Sequence, residues 1–254
     1  MPRNPFTIRK HAEIFAHVRS LPDRLLKQYM HIFSMISDPR QILDVGGGTG
    51  QFTVALAKTF PLAVVEGIEP ASAMFRKMKD FVQRSQIGNV RLVSKRLEDI
   101  SPIPAYDFVL LSEVSHLFDN GLDLVRRLRT LLMPKGVIAI RTSSHSQLIE
   151  RDWYRFFPHA RLIDLERHHS LELLKEAFRL SGFHVSEIVV DESRDVPALE
   201  FATLLTQRGY STLHLITETD FQSGCDYLQS VTRENSSYYF DYKMTLLVAH
   251  DNQH

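Results

Sequence analysis

Short apolar runs alternate with amphipathic stretches through the first half of the chain. Residues 41–45, 62–69, 90–93, 106–111 and 136–141 are brief and largely apolar, as strands covered on both faces should be. Between them the spacing becomes helical. Gln51 to Thr59 sets Phe52, Ala55 and Leu56 on one face, and Met74, Phe75, Met78, Phe81 and Val82 follow Pro70 at helical intervals. Leu122 to Leu132 turns Leu124, Val125, Leu128, Leu131 and Leu132 inward, with Arg126, Arg127 and Arg129 mostly off that face. Residues 8–36 are helical and amphipathic, with a break near Pro22. Strands alternating with helices predict a parallel α/β sheet, whose ligands sit beyond the carboxyl ends of the strands.

The pattern changes after residue 145. Ser170 to Leu180 reads as a helix with Ser170 as N-cap and Gly182 at its end, and residues 183–190 and 238–249 read as strands. Residues 191–237 between those strands look mostly helical and are too many for a simple connection. Residues 145–169 form a second irregular stretch. The expected division is an N-terminal helical cap over 1–36 and a core over 37–254, with cap insertions at about 145–169 and 191–236.

Composition narrows the class. The 254 residues can bury a sizeable core, and thirty basic residues balance thirty acidic ones. No global field therefore draws the chain toward nucleic acid or a membrane surface. The single cysteine, Cys225, excludes an intrachain disulfide and a cysteine-cluster metal site. No apolar run approaches ~20 residues and the N-terminus lacks a signal-like stretch, so the expectation is a cytoplasmic protein without a membrane span.

The chemistry concentrates at Ile42-Leu-Asp-Val-Gly-Gly-Gly-Thr-Gly50. Asp44 precedes glycines at 46, 48 and 50, which lets the backbone turn sharply and approach a ligand. A dinucleotide loop requires G-x-G-x-x-G, and position 51 is Gln. Glu69, nineteen residues after Gly50, ends the next strand and can accept both hydroxyls of a ribose. The turn Leu97-Glu98-Asp99-Ile100 can take an adenine against an apolar side chain and backbone. The set describes an adenosine site without a pyrophosphate.

These residues resemble those of class I S-adenosylmethionine-dependent methyltransferases. Leu43 to Gly50 and Gly67-Ile-Glu-Pro-Ala-Ser72 look like the first two motifs, and Glu98-Asp-Ile100, Tyr106 to His116 and Leu132-Met-Pro-Lys-Gly136 match the later ones in order and spacing. The likeness covers about residues 10–145 and is nearest to the small-molecule branch, such as ubiquinone- and menaquinone-type enzymes. It implies a Rossmann-like, doubly wound, mostly parallel seven-stranded sheet with an antiparallel final strand. It also implies S-adenosylmethionine as cofactor, held by Asp44, Gly46, Gly48, Gly50, Glu69, Pro70, Leu97, Glu98, Ser112 and Glu113. In Phe15-Ala-His-Val-Arg19, Arg19 stands where a cap-helix arginine reaches the methionine carboxylate. Arg96 departs from the pattern, replacing an acidic adenine partner, so Leu97 and Glu98 are expected to hold the ring through packing and backbone.

His116, after the fourth strand, is a candidate general base, and so is His145 after the fifth. Trp153, Tyr154, Phe156 and Phe157 with Arg151, Arg155 and Arg161 read either as a lid gripping an aromatic or anionic substrate or as helix packing with solvated charges. The implied reaction is in-line methyl transfer to a small-molecule acceptor. Nucleic-acid methylation is disfavoured, because Ser112-Glu-Val-Ser115 stands where an Asn/Asp-Pro-Pro-Tyr/Phe segment would be and no Pro-Cys nucleophile is present. A protein acceptor and a non-catalytic cofactor-binding module remain as alternatives. No metal is expected, since His168-His169 lacks a partner at ligand spacing.

Overall fold

The computed structural model describes Glu13, residues 20–232 and residues 236–251. The Arg19 segment lies outside the described residues. In chain order the elements begin with α1 (Asp23–Ile36), β1 (Gln41–Val45), α2 (Gln51–Thr59), β2 (Val64–Ile68), α3 (Ser72–Arg84), β3 (Val90–Val93), β4 (Tyr106–Ser112), α4 (Gly121–Arg129) and β5 (Leu132–Thr142). The second half holds α5 (His145–Ile149), α6 (Pro158–Arg167), α7 (Leu171–Leu180), β6 (Phe183–Asp191), β7 (Arg194–Pro197), α8 (Ala198–Thr206), α9 (Glu218–Thr232), β8 (Ser237–Phe240) and β9 (Lys243–Asp251).

Seven strands form one sheet in the order β3-β2-β1-β4-β5-β9-β6. Neighbours from β3 to β5 run parallel, and β9 pairs antiparallel with both β5 and β6. This is the Rossmann-like arrangement, with the final strand antiparallel. Side-chain alternation splits each strand between two apolar layers. Leu43, Val45, Val109, Leu111 and Ile138 pack with Leu124 and Leu128 of α4 and Leu174 and Phe178 of α7. Ile42, Phe108, Leu110 and Ala139 face the other way, onto Tyr29 and Phe33 of α1 and Phe52 and Leu56 of α2. Both faces are covered, which explains the nearly unbroken apolar runs. Strand order reverses at β1 and β4, so the loops leaving those strands part and leave a crevice between them.

A third apolar cluster stands apart from the sheet layers. It joins Leu148, Trp153, Phe156, Phe157 and Ala160 to Phe201, Leu205, Leu213, Phe221, Leu228, Tyr238 and Phe240. Two stretches far apart in sequence thus share one aromatic core, in which Phe201 stacks on Tyr238 with centroids 4.1 Å apart. Cys225 is buried in the same cluster.

Three boundaries differ from the sequence expectation. The helix of residues 122–132 ends at Arg129, and β5 begins at Leu132 rather than Gly136. Register jumps between Tyr106↔Leu132 and Phe108↔Val137, so the intervening residues bulge, with Lys135 at φ 65°. The single strand expected over 238–249 is two, because the chain leaves the β7–β8 ribbon before β9 enters the sheet. β7 itself, Arg-Asp-Val-Pro, is too short and polar to show alternation.

Candidate functional site

The loop after β1 is shaped by its glycines. Gly46, Gly48 and Gly50 have φ of 65°, 59° and 91°, in the left-handed region where a side chain is strained. Space is short as well. A Cβ on Gly46 would lie 2.7 Å from Val114 Cγ1, and one on Gly47 would lie 2.4 Å from Met78 Cε. Gly47 N–H donates to the Ile68 carbonyl at 3.0 Å, which ties the loop to the end of β2.

Glu69 stands at that end. Its carboxylate accepts from Gly48 N–H at 3.0 Å and from Ala71 N–H at 2.7 Å. Burial outweighs those two bonds and pushes its pKa from 4.5 up to about 7. A carboxylate has about four acceptor sites, so two remain for further donors. Pro70, exposed beside it, ends the strand.

Asp44 is placed beneath the loop rather than in the crevice. It is 1% exposed and accepts from Thr53 Oγ1 at 2.5 Å, and burial raises its pKa to about 6. Its position bolts β1 to α2 under the glycines. Gln51, the residue that argued against a dinucleotide, exchanges two 2.8 Å hydrogen bonds with the backbone of Leu21. That pair docks the segment before α1 onto the start of α2.

On the far side of β2 the Leu97–Asp99 turn is held from outside. The Arg127 guanidinium donates to the carbonyls of Leu97, Glu98 and Ile100. Leu97 is buried in the sheet layer and Glu98 is exposed. An open groove runs past Glu98, Phe118, Asn120 and Arg127. Arg127's role is not legible in the pattern of residues, since its partners lie about thirty positions earlier.

β4 ends in a strained residue. Glu113 has φ 58°, unusual for a side chain of its size, and its N–H is fixed on the Arg141 carbonyl at 2.8 Å. Ser112 Oγ accepts from Arg141 at 3.3 Å. Arg141 makes a bidentate pair with Glu192 at 2.6 and 2.7 Å, and Tyr29 Oη donates to the same carboxylate at 2.5 Å. This buried network joins β5, α1 and the residue after β6.

His116 lies in the turn after β4 and stacks on His168, with centroids 4.4 Å apart. Its Nδ1 is buried without a hydrogen-bond partner. Burial, and then the neighbouring His168, push its pKa well below 6.5, so the ring is neutral at pH 7. His168 Nδ1 bonds the Asp164 carbonyl at 2.8 Å, while the Asp164 carboxylate accepts from Tyr154 and Thr212. His145 does not stand free beside the strand ends: its Nε2 bonds the His168 carbonyl at 2.8 Å and straps the start of α5 to the end of α6. His169 likewise bonds the Phe118 carbonyl at 2.9 Å. In the aromatic-basic stretch all four aromatics are buried, Arg155 and Arg161 are exposed, and Arg151 is buried. Among the described residues no group of three or more His, Cys, Asp or Glu is placed to hold a metal. No described helix is long and apolar enough to cross a membrane.

A doubly wound sheet with a glycine loop after β1 and a buried carboxylate after β2 defines a nucleoside-binding α/β domain. The chain belongs to the methyltransferase-domain family, which matches residues 14–188, and its class is that of class I S-adenosylmethionine-dependent methyltransferases. It is 25% identical over 149 residues to malonyl-[acyl-carrier protein] O-methyltransferase of Halalkalibacterium halodurans, covering 54% of each protein. It is 27% identical over 106 residues to trans-aconitate 2-methyltransferase of Rhodopseudomonas palustris, covering 42% of this chain and 40% of that one. The chain thus spans about half the length of the curated relatives it matches. The YcgJ protein of Bacillus subtilis shares the fold, with a TM-score of 0.59 at 16% identity over 90% of this chain and 98% of that one.

The cofactor of this class is S-adenosylmethionine, and the residues present fit it. A Cβ on Gly46 or Gly47 would collide with Val114 or Met78 of the protein itself, whereas one on Gly48 would meet nothing nearer than Met74 Cε at 3.7 Å, so the loop leaves open space beside Gly48. Glu69 keeps acceptor capacity for ribose hydroxyls, and Gln51 stands where the third glycine of a dinucleotide loop would be.

Proposed function

We propose that this protein transfers a methyl group from S-adenosylmethionine to a small-molecule acceptor. The observation that carries the reading is the buried Glu69 carboxylate clamped to the Gly48 N–H at the strand-end crevice. The cofactor supplies a methyl group already activated on a sulfonium. The protein's task is to hold, align and exclude water.

Gly46, Gly48 and Gly50 give close backbone approach, and Asp44 keeps the loop in shape through Thr53. Glu69 accepts the ribose hydroxyls, with Pro70 setting the turn. Leu97 and Glu98 take the adenine on a turn fixed by Arg127. Ser112 and Glu113 line the methionine side, next to the Arg141–Glu192 pair. His116 faces the acceptor as a neutral hydrogen-bonding group. The cost of charging its buried ring opposes the general-base role expected from its position. His145 serves as a strap between the two cap helices α5 and α6.

Of the matched relatives' names, trans-aconitate 2-methyltransferase supports a small-molecule acceptor, and malonyl-[acyl-carrier protein] O-methyltransferase supports a short acyl group borne on a carrier protein. The zero net charge gives no support to a nucleic-acid acceptor. The test is release of S-adenosylhomocysteine from S-adenosylmethionine in the presence of fractionated metabolite pools. Acceptor-dependent release is expected. Tight cofactor binding with no release from any pool would favour a binding module instead.

A further inference from the structure

Arg151 is a buried cation of the cap, and among the described residues no carboxylate pairs with it. It is 5% exposed, and its Nη2 donates to Ser143 Oγ and approaches Met244 Sδ at 3.8 Å. Its guanidinium lies 4.3 Å from the centre of the Tyr242 ring. Its Nε is buried with no partner, and among the described residues it makes no ion pair. Arg141, equally buried, has both oxygens of Glu192. A guanidinium stays charged, and a buried charge without a counter-charge is costly. Cation–π contact with Tyr242 offsets part of that cost and leaves the Nε donor idle.

The place of Arg151 in the fold says which ligand it faces. Ser143 follows β5 and Met244 opens β9. The glycine loop, Glu69 and the Leu97 turn follow β1, β2 and β3, on the other side of β4. The cofactor half of the crevice is therefore across β4 from Arg151. Within its electrostatic reach are Tyr242, Glu113, Tyr154 and Tyr210, and also His116 and His168, at the end of β4, in the cap and before β9. Glu113 is the acid among them and favours the charged guanidinium, and among the described residues no direct ion pair joins the two.

Building on the methyl-transfer reading above, we infer that the acceptor carries a carboxylate, and that Arg151 grips it beside the idle Nδ1 of His116. A guanidinium edge matches a carboxylate in shape and charge. The aromatic residues around Arg151, among them Trp153, Tyr154 and Tyr242, shield the pair from water. Arg151 is then a specificity-determining residue, and substrate supplies the direct ion-pair partner that the described residues do not.

The test uses the whole protein with S-adenosylhomocysteine bound. A panel of aliphatic mono-, di- and tricarboxylates and aryl carboxylates is titrated beside the matching amides. Trp153 is the sole tryptophan of the chain and lies two positions from Arg151, so its emission reports the site. At least one carboxylate should bind about tenfold or more tighter than its amide. Arg151→Met should abolish that preference, Arg151→Lys should retain part of it, and both should bind S-adenosylhomocysteine within about twofold of the parent. Equal binding of amides and carboxylates, or no carboxylate binding at all, would overturn the inference even if neither variant folds. Loss of S-adenosylhomocysteine affinity in a folded Arg151→Met protein would move the arginine to the cofactor's own carboxylate and also overturn it. Failure of the parent protein to bind S-adenosylhomocysteine would instead strike the underlying methyl-transfer reading.

Discussion

Gly46 shows how closely single residues are constrained here. At φ 65° and with Val114 2.7 Å from any Cβ, alanine at this position meets strain and collision together. Gly46→Ala should weaken cofactor binding at least tenfold and destabilise the fold by about 1–3 kcal/mol, read by calorimetry and urea unfolding. Glu69 adds a pH dependence. Its folded pKa of about 7 is raised above 4.5, so the stability tied to its neutral form is complete below about 4.5 and is lost as pH rises through about 7. Ribose hydroxyls favour the ionised carboxylate, so cofactor affinity should increase from about pH 6 to 8, with protons released on binding. Titrations in buffers of different ionisation enthalpy would detect the release, and Glu69→Gln should flatten the dependence. An affinity that falls over this range would contradict the assignment.

At the scale of elements, two arginines place loops that carry no motif of their own. Arg127 reaches from α4 to three carbonyls of the Leu97 turn. Arg127→Met should loosen the adenine side and lower cofactor affinity several-fold, with little change in the unfolding midpoint. Arg141 holds Glu192 and Tyr29 inside the protein, and truncating one member strands a buried charge. Glu192→Ala should cost about 3–5 kcal/mol by urea denaturation. Neither role was legible in the sequence. Arg127 falls on a helix face that reads as solvated, and Glu192 lies fifty-one residues from Arg141 in an irregular stretch. The glycine loop and Glu69 were legible because backbone geometry demands those residue types at that spacing. Asp44 was legible as a motif member but not as a buried partner of Thr53. The β5 boundary was misplaced because Leu131 and Leu132 satisfy a helical face and a strand equally well.

For the whole molecule, the cap and the sheet divide the work. The strand order and both apolar layers follow from runs that a parallel sheet requires, and they were readable. How residues 145–169 and 191–236 meet was not, since their shared aromatic core joins rings more than forty positions apart, as Phe156 and Phe201 do. Phe201→Ala should cost about 3–5 kcal/mol and loosen the cap while the sheet persists, seen as Trp153 emission lost before far-ultraviolet ellipticity in urea. One coincident transition would show that cap and sheet unfold together.

The central claim is that the crevice between the Gly46–Gly50 loop and Glu69 binds an adenosyl thioether or sulfonium. Calorimetric titration of the protein and of Glu69→Ala with S-adenosylhomocysteine tests it most directly. Saturable binding to the parent, weakened at least tenfold or by about 1.4 kcal/mol in Glu69→Ala, is the expected result. No binding by the folded parent, or equal affinity in the two proteins, would contradict it.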